Sequence, residues 1–170
     1  MINYNITGDT MFVKTSLPAD PAELHALILE NLRGYLDASL PAVSNYSNMS
    51  AILMHFLPRI NWVGFYLREG EKLILGPFQG LPACTEIAIG KGVCGTAALL
   101  KETVVVEDVE RFPGHIACDS ASRSEIVVPI IQNGNLLGVL DVDSPDLGRF
   151  RSADRALLEQ AVDVLIDNLR

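Results

Sequence analysis

Apolar residues recur at helical spacing through the first third of the chain. Residues 20–23 (Asp-Pro-Ala-Glu) combine an acidic N-cap with a proline at the first helical position, which predicts a helix start. The helix is predicted to reach about residue 40, with one apolar face made by Leu24, Leu27, Ile28, Leu32 and Leu36. A second helix is predicted over residues 46–57, where Pro58 ends it.

After Pro58 the pattern becomes that of strands. Residues 60–67 are aromatic and β-branched, and a turn at 69–72 leads into a second strand at 73–76. The Asn133-Gly134 pair is a strong hairpin signal. The other predicted elements are a short helix at 96–100, strands at 104–106, 125–131 and 136–142, and a closing helix at 152–169.

This order of elements predicts one α+β domain over residues 1–170. Two helices, a run of strands and a closing helix fit a central antiparallel sheet with helices packed on one face. The length is typical of one domain, and no repeat or low-complexity linker divides the chain. We expect the other sheet face to hold a ligand pocket under the long loops of the middle third.

Composition limits which classes of partner the protein can bind and indicates its cellular compartment. The chain is 49% hydrophobic and 20% charged, with a net charge of −8. Nucleic acids and anionic membranes need a basic surface, so both are disfavoured, whereas cationic or zwitterionic ligands stay open. The N-terminus lacks a signal-peptide pattern, and no apolar run approaches the ~18 residues of a membrane span. We therefore expect a cytoplasmic protein with reduced thiols.

The three cysteines fall in one loop-rich stretch. Cys84, Cys94 and Cys118 lie in or beside segments rich in glycine, proline and polar residues, where reactive groups are often placed. A structural zinc site completed by His115 is disfavoured, because closely spaced cysteine pairs are missing. Inert thiols are a second interpretation. The third is a nucleophile with a resolving thiol, which would close a disulfide.

Carboxylates mark the last hairpin. Asp141 and Asp143 share a strand face because side chains alternate, and Glu125 begins the partner strand. Together they would form an acidic pocket wall that suits an ammonium group and can hold a proton for acid catalysis. A solvated sheet face is the alternative. A simple two-residue turn would place Glu125 opposite Val142, on the wrong face, whereas a bulge would pair it with Asp143.

Two aromatic side chains form the other candidate wall. Trp62, Gly64 and Tyr66 share one strand face, and the glycine would leave a slot where a methyl group or a sulfur meets aromatic rings. Ordinary core aromatics are the alternative interpretation.

These motifs taken together resemble a known family. The segments that carry the resemblance are 61–66 (Asn-Trp-Val-Gly-Phe-Tyr), 76–80 (Gly-Pro-Phe-Gln-Gly) with Cys84, 90–95 (Gly-Lys-Gly-Val-Cys-Gly), 115–119 (His-Ile-Ala-Cys-Asp), 122–125 (Ser-Arg-Ser-Glu) and 138–144 (Gly-Val-Leu-Asp-Val-Asp-Ser). They are similar to those of the free methionine-(R)-sulfoxide reductases, which are stand-alone GAF domains. GAF folds in general lack the three cysteines. The resemblance is close over residues 61–144.

The resemblance implies a substrate and a binding mode. The substrate would be free L-methionine (R)-sulfoxide rather than a protein-bound residue. The acidic cluster (Glu125, Asp141 and Asp143) would hold the ammonium and sulfoxide ends, and Trp62 and Tyr66 would enclose the S-methyl group. Backbone N–H groups of the glycine-rich loops would bind the carboxylate.

The resemblance also implies a mechanism without metal or cofactor. Cys118 would attack the sulfoxide sulfur while Glu125 or Asp143 protonates the departing oxygen. The resulting sulfenic acid would condense with Cys84, the preferred resolving thiol, or with Cys94, and thioredoxin would reduce the disulfide. Cys94 is also the rival nucleophile.

Two other functions are compatible with a GAF-like fold. A non-catalytic module would bind a small molecule such as a cyclic nucleotide without needing thiols. A redox sensor would form the same disulfide without stereoselective sulfoxide turnover. The sequence leaves open which thiol attacks, which two pair at rest, and whether the chain forms a homodimer.

Overall fold

The computed structural model describes residues 17–115 and 120–169, and its elements follow the predicted order. The helices are α1 (Pro21–Tyr35), α2 (Ala42–Phe56), α3 (Gly92–Leu100) and α4 (Ser152–Asp167). The strands are β1 (Trp62–Glu69), β2 (Lys72–Gln79), β3 (Glu86–Ala88), β4 (Val104–Val106), β5 (Ser124–Gln132) and β6 (Asn135–Ser144). A short 3₁₀ turn spans Val109–Arg111. Within the described residues, no helix combines the length and apolarity that crossing a bilayer requires.

Several boundaries differ from the predicted ones. Asp20 caps α1 as expected, since its side chain accepts a hydrogen bond from the N–H of Ala22. The helix nevertheless ends at Tyr35, because Leu36 has extended backbone angles. Helix α2 begins earlier than predicted, at Ala42, and β2 continues to Gln79 through a segment expected to be a loop. Strand β3 was not predicted, because its three residues (Glu-Ile-Ala) lack the β-branched run that identified β4.

The strands form one antiparallel sheet in the order β3-β2-β1-β6-β5-β4. Helices α1, α2 and α4 cover one face and bury its side chains, among them Val63, Phe65, Ile126, Leu140 and Val142. This arrangement confirms the predicted α+β class and the predicted core face of β1 and β6. Helix α3 packs on the opposite face, where it bounds the space that the sequence assigned to a ligand.

A bulge in the β5–β6 hairpin fixes the register. Asn133 and Gly134 form a two-residue turn, so Gln132 pairs with Asn135. The pairing then shifts between Ile130 and Ile131, which leaves one extra residue in β6. Beyond the shift Glu125 pairs with Asp143. The bulge is therefore the alternative that the structure adopts, and it turns Glu125 to the same face as the two aspartates.

Candidate functional site

A cavity lies between the second sheet face and the N-terminal end of α3. Its floor contains Tyr66 from β1, Glu125 from β5 and both aspartates of β6, Asp141 and Asp143. Its walls are the first turn of α3 and parts of the neighbouring loops. The sequence predicted this face as the ligand side, and five of the candidate site residues, Cys94 among them, meet there.

The three carboxylates are placed by strand pairing. Asp143 of β6 lies between Glu125 of β5 and Trp62 of β1, and Asp141 lies opposite Gly64 of β1. Glu125 and Asp141 are each only 6% exposed, whereas Asp143 is half-buried. The acidic group is therefore a buried cluster with one more accessible member, not the solvated sheet face of the alternative interpretation.

Burial makes two of these carboxyl groups, Glu125 and Asp141, hold protons more tightly than usual. Loss of hydration, followed by the charges of Asp141 and Asp143, raises the pKa of Glu125 well above its usual range. Burial also raises the pKa of Asp141 to about 6, although hydrogen bonds from Cys94 and Glu125 oppose this rise. A carboxyl group that keeps its proton near neutral pH is what acid catalysis requires.

Cys94 belongs to this cluster and not to a loop. It lies in the first turn of α3, is 3% exposed, and its thiol donates to Oε1 of Glu125 at 3.8 Å. Burial, followed by the charges of Asp141 and Glu125, raises the pKa of the thiol well above its usual value. Because the thiolate is the nucleophilic form, this environment disfavours Cys94 as a nucleophile.

The start of α3 supplies the opposite charge. Among the described residues no side chain caps this helix, and its first backbone hydrogen bond runs from the N–H of Gly95 to the carbonyl of Lys91. The N–H groups of Gly92, Val93 and Cys94 precede that bond, so they have no acceptor within the helix. Such amides, at the positive end of the helix dipole, favour an anion. Gly92 has a φ of +61°, which side chains other than glycine rarely adopt.

Tyr66 connects the cavity to the loop that carries Cys84. Its hydroxyl donates to the carbonyl oxygen of Cys84 at 3.0 Å. Cys84 is engaged in a disulfide, whereas Cys94 is a free thiol. Cys118 lies outside the described residues. Burial raises the pKa of Tyr66, so its hydroxyl stays a hydrogen-bond donor over the whole neutral range.

The expected slot over Gly64 is filled. Trp62 stacks on Phe78 with ring centroids 5.4 Å apart and on Tyr66 at 6.0 Å, and its indole N–H donates to the carbonyl of Leu81. A Cβ at Gly64 would lie 2.6 Å from Cη2 of Trp62 and would also overlap Cβ of Phe78. The glycine thus admits a neighbouring ring rather than a ligand. Among the described residues, the cavity wall includes Tyr66 but not Trp62, which supports Tyr66 from behind.

Replacement of Gly64 by alanine is expected to lower the free energy of unfolding by about 1–3 kcal/mol, because the added methyl group overpacks the Trp62–Phe78 stack. Thermal and urea denaturation measure the loss. Gly76→Ala in β2 is the matched control, since its nearest contacts are 3.2 Å away and the cost should be smaller. Equal stability of the Gly64→Ala variant and the parent would contradict this account of the glycine.

Three cavity residues with polar or charged side chains were not among the predicted site residues: Lys91, His115 and Ser122. All three lie in the motifs that carry the family resemblance, and this location could have marked them as site residues. Ser122 Oγ accepts a hydrogen bond from Nδ2 of Asn61 at 3.0 Å, which ties its loop to the start of β1. Partial burial lowers the pKa of His115, so its ring favours the neutral form.

A GAF-domain family model matches residues 20–166. The chain is 47% identical over 146 residues to the free methionine-R-sulfoxide reductase of Saccharomyces cerevisiae, covering 81% of each chain. It is 44% identical over 140 residues to that of Escherichia coli, covering 82% of this chain and 85% of the relative. This chain belongs to the free methionine-R-sulfoxide reductase family of GAF domains.

A solved structure of this reductase family supports the same fold. The free methionine-R-sulfoxide reductase from Neisseria meningitidis, in complex with its substrate, matches with a TM-score of 0.85 and 40% identity, over 93% of this chain and 95% of that one. The GAF fold and the family of oxidoreductases expected from the motifs are thereby confirmed.

Proposed function

We propose that this chain reduces free L-methionine (R)-sulfoxide to methionine. The observation that carries the proposal is the opposite polarity of the two sides of the cavity. Three carboxyl groups lie on the sheet, and backbone N–H groups without an acceptor within the helix lie at the start of α3. A free amino acid carries an ammonium and a carboxylate, whereas a methionine within a protein has neither. The relatives named as free methionine-R-sulfoxide reductases support the same substrate.

In the proposed complex the acidic cluster of Glu125, Asp141 and Asp143 holds the ammonium and sulfoxide ends of the substrate. The carboxylate group binds to the N–H groups at the start of α3, with Lys91 beside them. Tyr66 contacts the S-methyl end, and Trp62 holds the Tyr66 ring by stacking. A substrate bound at both ends has its sulfur in a fixed position, which lowers the entropic part of the barrier.

Lys91→Met is expected to raise KM for the sulfoxide about five-fold with little change in kcat, because an exposed charge contributes up to about 1 kcal/mol to binding. Steady-state kinetics with varied sulfoxide measure the effect. Lys72→Met is the matched control, since this exposed lysine pairs with Glu86 outside the cavity. An unchanged KM in Lys91→Met would remove the side chain from the proposed carboxylate site.

The nucleophile in this proposal is Cys118. Cys94 is a poor alternative because its thiol is buried among carboxylates that disfavour the thiolate. Attack of the Cys118 thiolate on the sulfoxide sulfur, with proton delivery to the oxygen, releases methionine and leaves a sulfenic acid on the cysteine. Glu125 is the preferred proton donor, and Asp143 is the second candidate.

The disulfide of Cys84 supports its role as the resolving thiol. Its sulfur would attack the sulfenic acid of Cys118, form the disulfide and release water. A dithiol reductant of the thioredoxin class would then supply two electrons and two protons to restore both thiols. The products per turnover are one methionine, one water and one oxidised thioredoxin.

Coupled turnover tests the proposed function. The protein, thioredoxin and thioredoxin reductase are supplied with free Met-(R)-sulfoxide or Met-(S)-sulfoxide, and NADPH consumption is followed. We expect turnover with the R epimer only. A folded, reduced protein that turns over neither epimer, yet forms its disulfide with peroxide, would be a redox sensor instead.

A further inference from the structure

Three potential metal ligands meet at the base of the cavity. Sγ of Cys94 and carboxylate oxygens of Glu125 and Asp141 all lie within 4.8 Å of one another, and all three residues are buried. One ligand comes from a helix and two from neighbouring strands, so packing of α3 on the sheet holds them together.

One atom of this cluster lacks a hydrogen-bond partner. Oδ1 of Asp141 is buried and, within the described part of the chain, accepts no hydrogen bond, although the residue is only 6% exposed. An unpaired buried carboxylate oxygen costs free energy, so a cation placed against it would be stabilising. This observation is independent of the clustering and points to a positively charged ligand.

The spacing suits a small tetrahedral ion. Zinc–sulfur and zinc–oxygen bonds of about 2.3 and 2.1 Å at a tetrahedral angle separate the two ligand atoms by about 3.6 Å. Sγ of Cys94 and Oε1 of Glu125 are 3.8 Å apart. Little movement of these side chains would therefore be needed to accommodate the ion.

The donor set selects the metal. A thiolate is a soft ligand that disfavours Mg²⁺ and Ca²⁺, whereas Zn²⁺ accepts sulfur and oxygen together. We propose that Cys94, Glu125 and Asp141 form a Zn²⁺-binding site whose fourth position faces the cavity. Binding forms one Zn–S and two Zn–O bonds, and the thiol proton, with any proton held by the two carboxyl groups, leaves to solvent without any change of oxidation state. This site is distinct from a zinc site built from the three cysteines and His115.

Occupancy of the site would block the cavity, a consequence that rests on the proposed function. The ion would occupy the two buried carboxyl groups, Glu125 and Asp141, that the substrate needs. Zn²⁺ and Met-(R)-sulfoxide should therefore exclude each other, and the cation would act as an inhibitor rather than as a cofactor.

Titration of the disulfide form with Zn²⁺ tests the site, because Cys84 is then bonded and Cys94 is the free thiol. Calorimetry is expected to give one Zn²⁺ per chain. Co²⁺ as a spectroscopic probe should produce a thiolate-to-metal charge-transfer band. No sulfoxide turnover is involved, so the result is independent of the proposed function.

Single substitutions identify the ligands. Cys94→Ser should abolish the Co²⁺ band, and Glu125→Gln should weaken Zn²⁺ binding by at least the roughly 10–100-fold known for loss of outer-shell partners. Glu69→Gln, an exposed carboxylate outside the cavity, is the charge-matched control and should bind as the parent does.

Two results would overturn the site: a parent protein that binds no Zn²⁺, or a Glu125→Gln variant with the parent's affinity. If Cys94→Ser fails to fold by circular dichroism, the Co²⁺ band of the parent still decides whether sulfur is a ligand. Met-(R)-sulfoxide added during the titration should weaken Zn²⁺ binding, and an unchanged affinity would refute the mutual exclusion.

Discussion

Cys118→Ser is expected to release no methionine, even in a single turnover without thioredoxin, because the variant has no thiolate to attack the sulfoxide sulfur. The parent and Cys84→Ser should each release one equivalent of methionine in the same experiment. The two differ afterwards, since only the parent can close the disulfide. In Cys84→Ser the sulfenic acid should persist and react with a dimedone-type probe.

Cys94→Ser separates the two candidate nucleophiles. Its burial among carboxylates argues that Cys94 stays a thiol, so the serine variant should still release methionine. Quantification of methionine by mass spectrometry, together with mapping of the modified cysteine, checks each variant. Release of methionine by Cys118→Ser, with none from Cys94→Ser, would reverse the assignment.

Glu125→Gln is expected to lower kcat/KM by ~10²–10⁴-fold and at the same time to stabilise the fold at high pH. The loss of activity follows from removal of the proposed proton donor, while the amide keeps the shape of the side chain. The gain in stability follows from removal of a buried carboxylate that has two acidic neighbours. Few substitutions at an ordinary core position would combine the two effects.

The raised pKa of Glu125 determines how the stability difference between Glu125→Gln and the parent changes with pH. The folded-state pKa of Glu125 is raised, so its contribution to stability is complete below the unfolded value of 4.5 and is lost as pH rises through the folded pKa. The variant should therefore match the parent most closely near pH 4. Its advantage should grow as the pH rises through the folded-state pKa of Glu125.

Asp141→Asn tests the same effect of burial on stability in a second pH range. The pKa of Asp141 rises from 3.8 to about 6, so the variant's relative stability should increase mainly between these two values. Urea denaturation at a series of pH values measures both variants. Glu69→Gln, which is exposed, should show no such divergence. A parallel pH profile for Glu125→Gln and the parent would contradict the buried-carboxylate account.

Most of the architecture follows from local patterns in the sequence. Helical and strand periodicities identified the long elements, and the Asp20-Pro21 start of α1 was placed correctly because capping is a local interaction. Side-chain alternation also assigned Trp62, Tyr66, Asp141 and Asp143 to one sheet face. These inferences succeed because each depends on residues that are close in the chain.

The arrangement of the site depends on contacts between distant segments. Alternation could not say whether Glu125 joins the aspartates, since the bulge opposite Ile130 and Ile131 decides this. Phe78, from β2, fills the space over Gly64 that the sequence left open.

Cys94 shows most clearly what the sequence could not predict. Its glycine-rich surroundings indicated an accessible thiol, whereas the fold places it in the first turn of a helix that packs against Glu125 and Asp141. The sequence by itself determined which residue types are available and on which face of their own strand they lie. Only the tertiary structure decided which of them share one cavity, because burial and the pKa values that burial changes depend on every segment packed around a group.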